Sequence, residues 1–157
     1  PELLTSKRNR VLPDVRAWGT LSSGDRYMSE PASLHFDQDG LGPLLDALDE
    51  AQLDLVPFGV IGIDDSTAVT RYNALESQHA GLTPQRVLGL PLFTVVAPCM
   101  NNFMVGQRFD EAAEGSEAMD DTIDYVLTLR MRPTKVKLRL IASPGSATRY
   151  VLVNRPT

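Results

Sequence analysis

The sequence predicts an α+β domain, a five-stranded antiparallel sheet with helices packed over one face. Three observations carry that reading. The last third of the chain alternates apolar and polar residues with the period of half-buried strands. A short apolar run, Phe58-Gly59-Val60-Ile61-Gly62-Ile63, closes on the turn signal Asp64-Asp65-Ser66 and reads as a buried strand. Between these regions the apolar residues fall mostly at helical spacing.

Taken in order, residues 1–38 show no sustained period and are broken by Pro13, Gly19, Pro31 and Ser22-Ser23-Gly24-Asp25. They are expected to form an N-terminal extension, with the folded domain over residues 39–157. Trp18 and Tyr27 give the extension apolar surface with which to dock. Its basic cluster, Lys7, Arg8 and Arg10, is diluted by Glu2, Asp14 and Asp25 and reads as solvated tail. Next, Leu41, Leu44, Leu45, Leu48 and Leu55 recur at helical spacing opposite Asp46, Asp49 and Glu50, which predicts one amphipathic helix starting near Asp39 or Gly40.

After the Phe58 strand, residues 69–72 return as its hairpin partner. Asn73 suits a helix N-cap, with Glu76 three residues on as in a capping box. Gly81 and Pro84 end that helix, and residues 84–89 add another helical turn. Residues 103–114 predict a longer helix stopped by Gly115. Ile123, Tyr125, Leu127, Leu129 and Met131 then alternate with Asp124, Thr128 and Arg130, and Val136, Leu138 and Leu140 with Lys135, Lys137 and Arg139. The turn Ser143-Pro144-Gly145-Ser146 leads to a last strand at residues 150–153. This order is the layout of a PAS domain, in which a ligand sits between the helical segment and the sheet, although a fold alone licenses no function.

Composition removes several function classes. Apolar residues make up 43% and charged residues 22% of the 157, the balance of one globular domain. A net charge of -5 argues against nucleic acid as the main partner. No apolar run reaches the roughly 18 residues of a membrane span. His35 and His79 show no metal-ligand spacing, and the single cysteine excludes an intrachain disulfide or a multi-thiolate zinc site. The sequence starts at Pro1, so a segment upstream stays open. The expectation is a soluble cytoplasmic protein of a reducing compartment.

That single cysteine, Cys99, follows a proline at the end of the run Val95-Val96-Ala97-Pro98. A lone cysteine is most often a small buried hydrophobe, and a covalent role requires partners elsewhere in the chain. Tyr72 and Glu76 are candidate partners, four residues apart and therefore on one face if both lie in a helix. Either alone reads as an ordinary core tyrosine or a capping carboxylate.

Together these residues carry a resemblance. From about Glu50 to Arg155, roughly two-thirds of the chain, the sequence resembles the photoactive yellow protein family, blue-light receptors holding 4-hydroxycinnamic acid as a thioester on cysteine. The matching stretches are Gln52-Leu53-Asp54, Phe58-Gly59, Tyr72-Asn73-Ala74 with Glu76, Val96-Ala97-Pro98-Cys99, and Pro133-Thr134-Lys135-Val136-Lys137. Spacings agree without a gap from Gln52 to Phe109, and one residue is inserted before the late strands. The resemblance implies a 4-hydroxycinnamoyl thioester on Cys99, with Tyr72 and Glu76 hydrogen-bonded to the phenolate oxygen. It also places Ala97 in the cofactor site and Met131 where a methionine helps the cis chromophore return to trans.

The chemistry explains the residue types. A free phenol ionises near pH 10, so a buried phenolate needs strong donors. Glu76 donates only when protonated, a form that a dry apolar site favours. Such charge-assisted O–H bonds are about twice as strong as neutral ones. Light would then drive trans-to-cis isomerisation and proton transfer from Glu76. The resulting unpartnered buried carboxylate would partly unfold the segment before Phe58.

There are departures from the family pattern. Ala80 replaces a threonine bonded to the tyrosine, Leu82 an arginine over the pocket, and Leu127 and Leu129 two aromatic residues. The pocket is therefore expected to lack its nearby cation. The alternative reading is a chromophore-free PAS interaction or ligand-sensing module. A cysteine enzyme ranks last, since a nucleophilic thiol needs a base and His79 is the only candidate close in sequence. The expected partner is a downstream signalling protein of unknown identity, with a homodimer left open.

Overall fold

The computed structural model describes residues 30–128 and 133–155. Five strands, β1 (Gly59–Ile63), β2 (Val69–Tyr72), β3 (Met119–Leu127), β4 (Thr134–Ala142) and β5 (Arg149–Asn154), form one antiparallel sheet in the order β2-β1-β5-β4-β3. Placing β5 between β1 and β4 explains its sequence. A central strand covered on both faces reads as a continuous apolar run, here Tyr150 to Val153, all buried. The β1–β2 turn is held by the Asp64 carboxylate, which accepts from the Ser66 N–H, the Ser66 hydroxyl and the Ala68 N–H.

Among the described residues five α-helices accompany the sheet: α1 (Leu41–Asp46), α2 (Glu50–Leu53), α3 (Ala74–Ala80), α4 (Pro84–Val87) and α5 (Gly106–Gly115). The expected PAS-type sheet and helices are present. The single helix expected from Leu41 to Leu55 is instead two short ones. Asp49 caps α2 in a capping box with Gln52, the side chain of each accepting from the other's backbone N–H at 2.8 and 2.9 Å, and so restarts the helix. Leu55 is left outside, 61% exposed. Helix α5 starts at Gly106 rather than at residue 103, because the Asn102 side chain accepts from the Met104 and Val105 N–H groups and holds a turn there. Strand β3 begins four residues before Ile123, since Met119 already pairs with Ala142 in an unbroken ladder that ends at Leu127↔Thr134. Leu129, Met131 and the extension's Lys7, Arg8, Arg10, Trp18 and Tyr27 lie outside the described residues.

The two faces of the sheet carry two cores. One joins Ile61, Tyr72, Leu138, Leu140, Val151 and Val153 to the connecting segments between β2 and β3. The other packs Leu34, Leu41, Leu45, Leu53 and Phe58 onto Val60, Ile141, Tyr150 and Leu152. The compact unit around the sheet begins at Pro31, so residues 31–38, placed with the extension on sequence grounds, pack here. Leu34 is buried and the Phe36 ring meets Phe58 edge-on at 5.9 Å.

Two arginines fasten this cap. Arg71 on β2 donates to the Leu45 and Leu48 carbonyls, to the Tyr150 hydroxyl and to Glu50. Arg139 on β4 donates to the Phe36 and Gln38 carbonyls and makes a two-point pair with Asp120. Charged donors to backbone carbonyls exceed neutral hydrogen bonds in strength. No helix among the described residues is long and apolar enough to cross a membrane.

Candidate functional site

The segment between β2 and β3 sets the site. After Pro91 the chain makes a π-helical turn, Leu92–Val96, in which the Ala97 N–H reaches back to the Leu92 carbonyl at 2.7 Å. Such wide turns recur at functional sites. This one buries Leu92, Phe93, Val96 and Ala97, and Pro98 then opens a 3₁₀ turn, Pro98–Met100. Cys99 sits within it as a free, half-buried thiol. That placement answers why a thiol follows the proline: the core takes its neighbours Ala97 and Met100, and Cys99 is left at the margin.

The Cys99 backbone is held from β3. Tyr125 donates its hydroxyl to the Cys99 carbonyl at 2.5 Å, and the Asn102 amide donates to the same carbonyl at 3.2 Å and to the Tyr125 oxygen at 2.6 Å. Beside them lies a cavity of about 680 Å³, lined by Cys99, Asn102, Met104, Tyr125, Val126 and Val136 among others. That is the size of a small-molecule pocket. Asn102 and Tyr125 went unrecognised in the sequence. The usable signal was an Asn just before a helical run, a residue that bonds its own backbone at helix entries.

Tyr72 and Glu76 come together, though not on one helix. Tyr72 ends β2, Asn73 caps α3, and Glu76 lies in its first turn. Tyr72 is buried in the same apolar cluster as Ala97, against which Cys99 and Leu82 pack. Among the described residues the Tyr72 hydroxyl has no hydrogen-bond partner. Burial first, and the Glu76 carboxylate second, push its ionisation well above the ordinary range, opposed by Arg155. Neither Tyr72 nor Glu76 lines the 680 Å³ cavity, which opens on the β3–β4 side of Cys99. Met131 cannot be placed, lying outside the described residues.

The expectation of a Glu76 without a charged partner is corrected. Its carboxylate is 1% exposed and is gripped by the Arg155 guanidinium, with N–O distances of 2.6 and 3.2 Å. Gly59 makes room for it, since a Cβ there would stand 2.3 Å from a Glu76 oxygen. A cation is therefore near, supplied from the end of β5 and not at position 82, where Leu82 is half-buried. Arg155 also approaches His79 at 3.4 Å. Among the described residues no group of His, Cys, Asp and Glu could hold a metal ion.

The tyrosine environment has a measurable consequence. A phenol kept neutral by the fold contributes stability that is complete below the unfolded value of about 10 and is lost as pH rises beyond it. Tyr150, also shifted upward by burial and by its bond to Asp46, acts in the same direction. Urea midpoints should fall above about pH 10, and Tyr72→Phe should flatten that fall by up to about 1.4 kcal/mol per pH unit. An unchanged slope in Tyr72→Phe would remove Tyr72 from this linkage.

A sheet of this order with intervening helices and a cavity beside the connecting segment defines a PAS domain. The PAS domain of BvgS from Bordetella pertussis shares that fold, with a TM-score of 0.52 at 18% identity over 69% of this chain and 83% of that one. No family model matches the chain. A photoactive yellow protein from Halochromatium salexigens is 32% identical over 123 residues, 78% of this chain and 97% of that protein. Another from Rhodothalassium salexigens is 30% identical over 122 residues, with the same two coverages of 78% and 97%. The photoactive yellow protein domain of the sensor histidine kinase Ppr from Rhodospirillum centenum superposes with a TM-score of 0.67 at 31% identity, covering 72% of this chain and 98% of that one. The chain belongs to the photoactive yellow protein family.

Proposed function

We propose that this protein is a blue-light photoreceptor that carries 4-hydroxycinnamic acid as a thioester on Cys99. The observation that carries the proposal is a free, half-buried thiol packed on the same cluster as Tyr72, whose buried hydroxyl lacks a partner among the described residues. A buried phenol without a partner forfeits about 1–3 kcal/mol, which a ligand oxygen would restore. When bound, the chromophore supplies absorption of blue light and a vinyl bond that turns from trans to cis.

The chain's residues do the rest. Cys99 Sγ holds the acyl group, Tyr72 donates to its phenol oxygen, and Glu76 exchanges a proton with that oxygen. Ala97 packs beside the attachment point, and Met131 is assigned to the return to trans. A change of charge at Glu76 acts on Arg155 and on α3, whose Asn73 cap bonds the Leu53 and Phe58 carbonyls. Loosening of the cap before Phe58 is then the signal, read by a downstream partner. This assigns the protein a sensory role in the cytoplasm and no catalytic one.

The test is optical. Protein loaded with the activated acid should turn yellow and bleach reversibly under blue light. Tyr72→Phe should make the bound phenol harder to ionise, because a donor to the charged form is lost. Loaded protein that ignores light, or a Tyr72→Phe spectrum matching the parent across a pH titration, would overturn the assignment.

A further inference from the structure

The Glu76–Arg155 pair bears directly on where a proton rests in this site. Both carboxylate oxygens are engaged by one guanidinium, and the pair is nearly dry, with the Glu76 side chain 1% and the Arg155 side chain 13% exposed. The recess at Gly59 fixes the carboxylate's place, since any side chain there would collide with it. Among the described residues the other titratable groups around the pair are Tyr72 at the end of β2 and His79 on α3, the latter against Arg155, with Asp124, Lys135 and Lys137 lining a recess beside Arg155. Among all of these, Arg155 alone offers a two-point fork.

A fork of two N–H donors fits an ionised carboxylate, which only accepts hydrogen bonds. A carboxylic acid would have to turn its O–H away from the guanidinium and give up one of the two bonds. Between Glu76 and a neighbouring phenol oxygen a single proton has two resting places, with the same net charge in each. Either Glu76 is the acid beside a phenolate, or it is the carboxylate beside a phenol. Arg155 stabilises the second arrangement by holding both oxygens of the carboxylate.

Building on the chromophore reading above, we infer that Arg155 is a positioning residue that favours ionised Glu76, so that in the dark part of the chromophore population keeps the shared proton on the phenol oxygen beside the blue-absorbing phenolate. The loaded protein then holds a large phenol population absorbing at shorter wavelength than the phenolate. Arg155 sets its size.

The test has two arms at one neutral pH. In unloaded protein, the carboxyl-carbon NMR signal of Glu76, assigned by its loss in Glu76→Gln, should report a carboxylate. In Arg155→Gln it should move toward the acid. In protein loaded with the activated acid, with one acyl group per chain confirmed by intact mass, the phenol-to-phenolate ratio should fall about tenfold or more in Arg155→Gln. The same ratio should fall in Glu76→Gln and lie between parent and Arg155→Gln in Arg155→Lys, which keeps the charge but not the fork. Should Arg155→Gln fail to fold, the Lys variant decides. A protonated Glu76 in the unloaded parent, or a ratio that stays or rises in folded, acylated Arg155 variants, would overturn the inference. Failure of the parent to take up an acyl group would instead defeat the chromophore reading, and the unloaded arm would still decide the role of Arg155.

Discussion

Asn73→Ala should destabilise the protein by about 3–4 kcal/mol, measured from urea midpoints at constant slope. Asn73 is fully buried and spends its side chain on four bonds. Its oxygen accepts from the Val60 N–H at 3.0 Å and the Glu76 N–H at 3.1 Å, and its amide donates to the Phe58 carbonyl at 2.9 Å and the Leu53 carbonyl at 3.3 Å. Alanine would strand the Val60 and Glu76 donors and the Phe58 acceptor, while Leu53 keeps the Val56 N–H. Each stranded buried group costs about 1–3 kcal/mol, partly recovered by relaxation. Loss of the N-cap is one of these costs and not an addition to them. A loss below about 1 kcal/mol would show that the four bonds are not the junction of α2, β1 and α3.

The same residue shows how far the sequence could be read. Asn73 as an N-cap is local chemistry, and the bond to the Glu76 N–H is present as expected. Its two bonds to the chain before β1 depend on how distant elements meet, which no spacing reveals. The strands were legible because burial on one or both faces writes a period of two or an apolar run into the sequence. The interruption between α1 and α2 was missed because the leucine period continues through it, although Asp49 and Gln52 spelled out the box that restarts the helix.

Within the site, Cys99, Tyr72, Glu76 and Ala97 were legible as residues of interest. Tyr72 and Glu76 meet through a strand-to-helix junction, not a shared helical face. Arg155 gave no local signal: one cation after an apolar strand looks solvated until the fold brings it to Glu76, 79 positions away. Tyr125 read as a core residue from its alternation, and only the tertiary structure aims its hydroxyl at the Cys99 carbonyl.

The second large effect is all-or-none. Cys99 is the single thiol of the chain, so no other residue can form a thioester. Lysine amines, with ordinary values near 10.4, are mostly protonated and poorly nucleophilic at neutral pH. Attack by the Cys99 sulfur on an activated acyl carbon forms the S–C bond and expels the activating group with its electron pair. The thiol is half-buried and lines the cavity. Tyr125 and Asn102 fix the Cys99 backbone, so the chain need not rearrange to present it. Cys99→Ala should leave the fold intact, removing only one sulfur from the edge of the cluster, and should abolish uptake and colour together. The decisive measurement is the intact mass of parent and Cys99→Ala after exposure to activated 4-hydroxycinnamic acid. The parent should gain one hydroxycinnamoyl group and Cys99→Ala none. Equal gain by both proteins, or no gain by the parent, would contradict Cys99 as the attachment point.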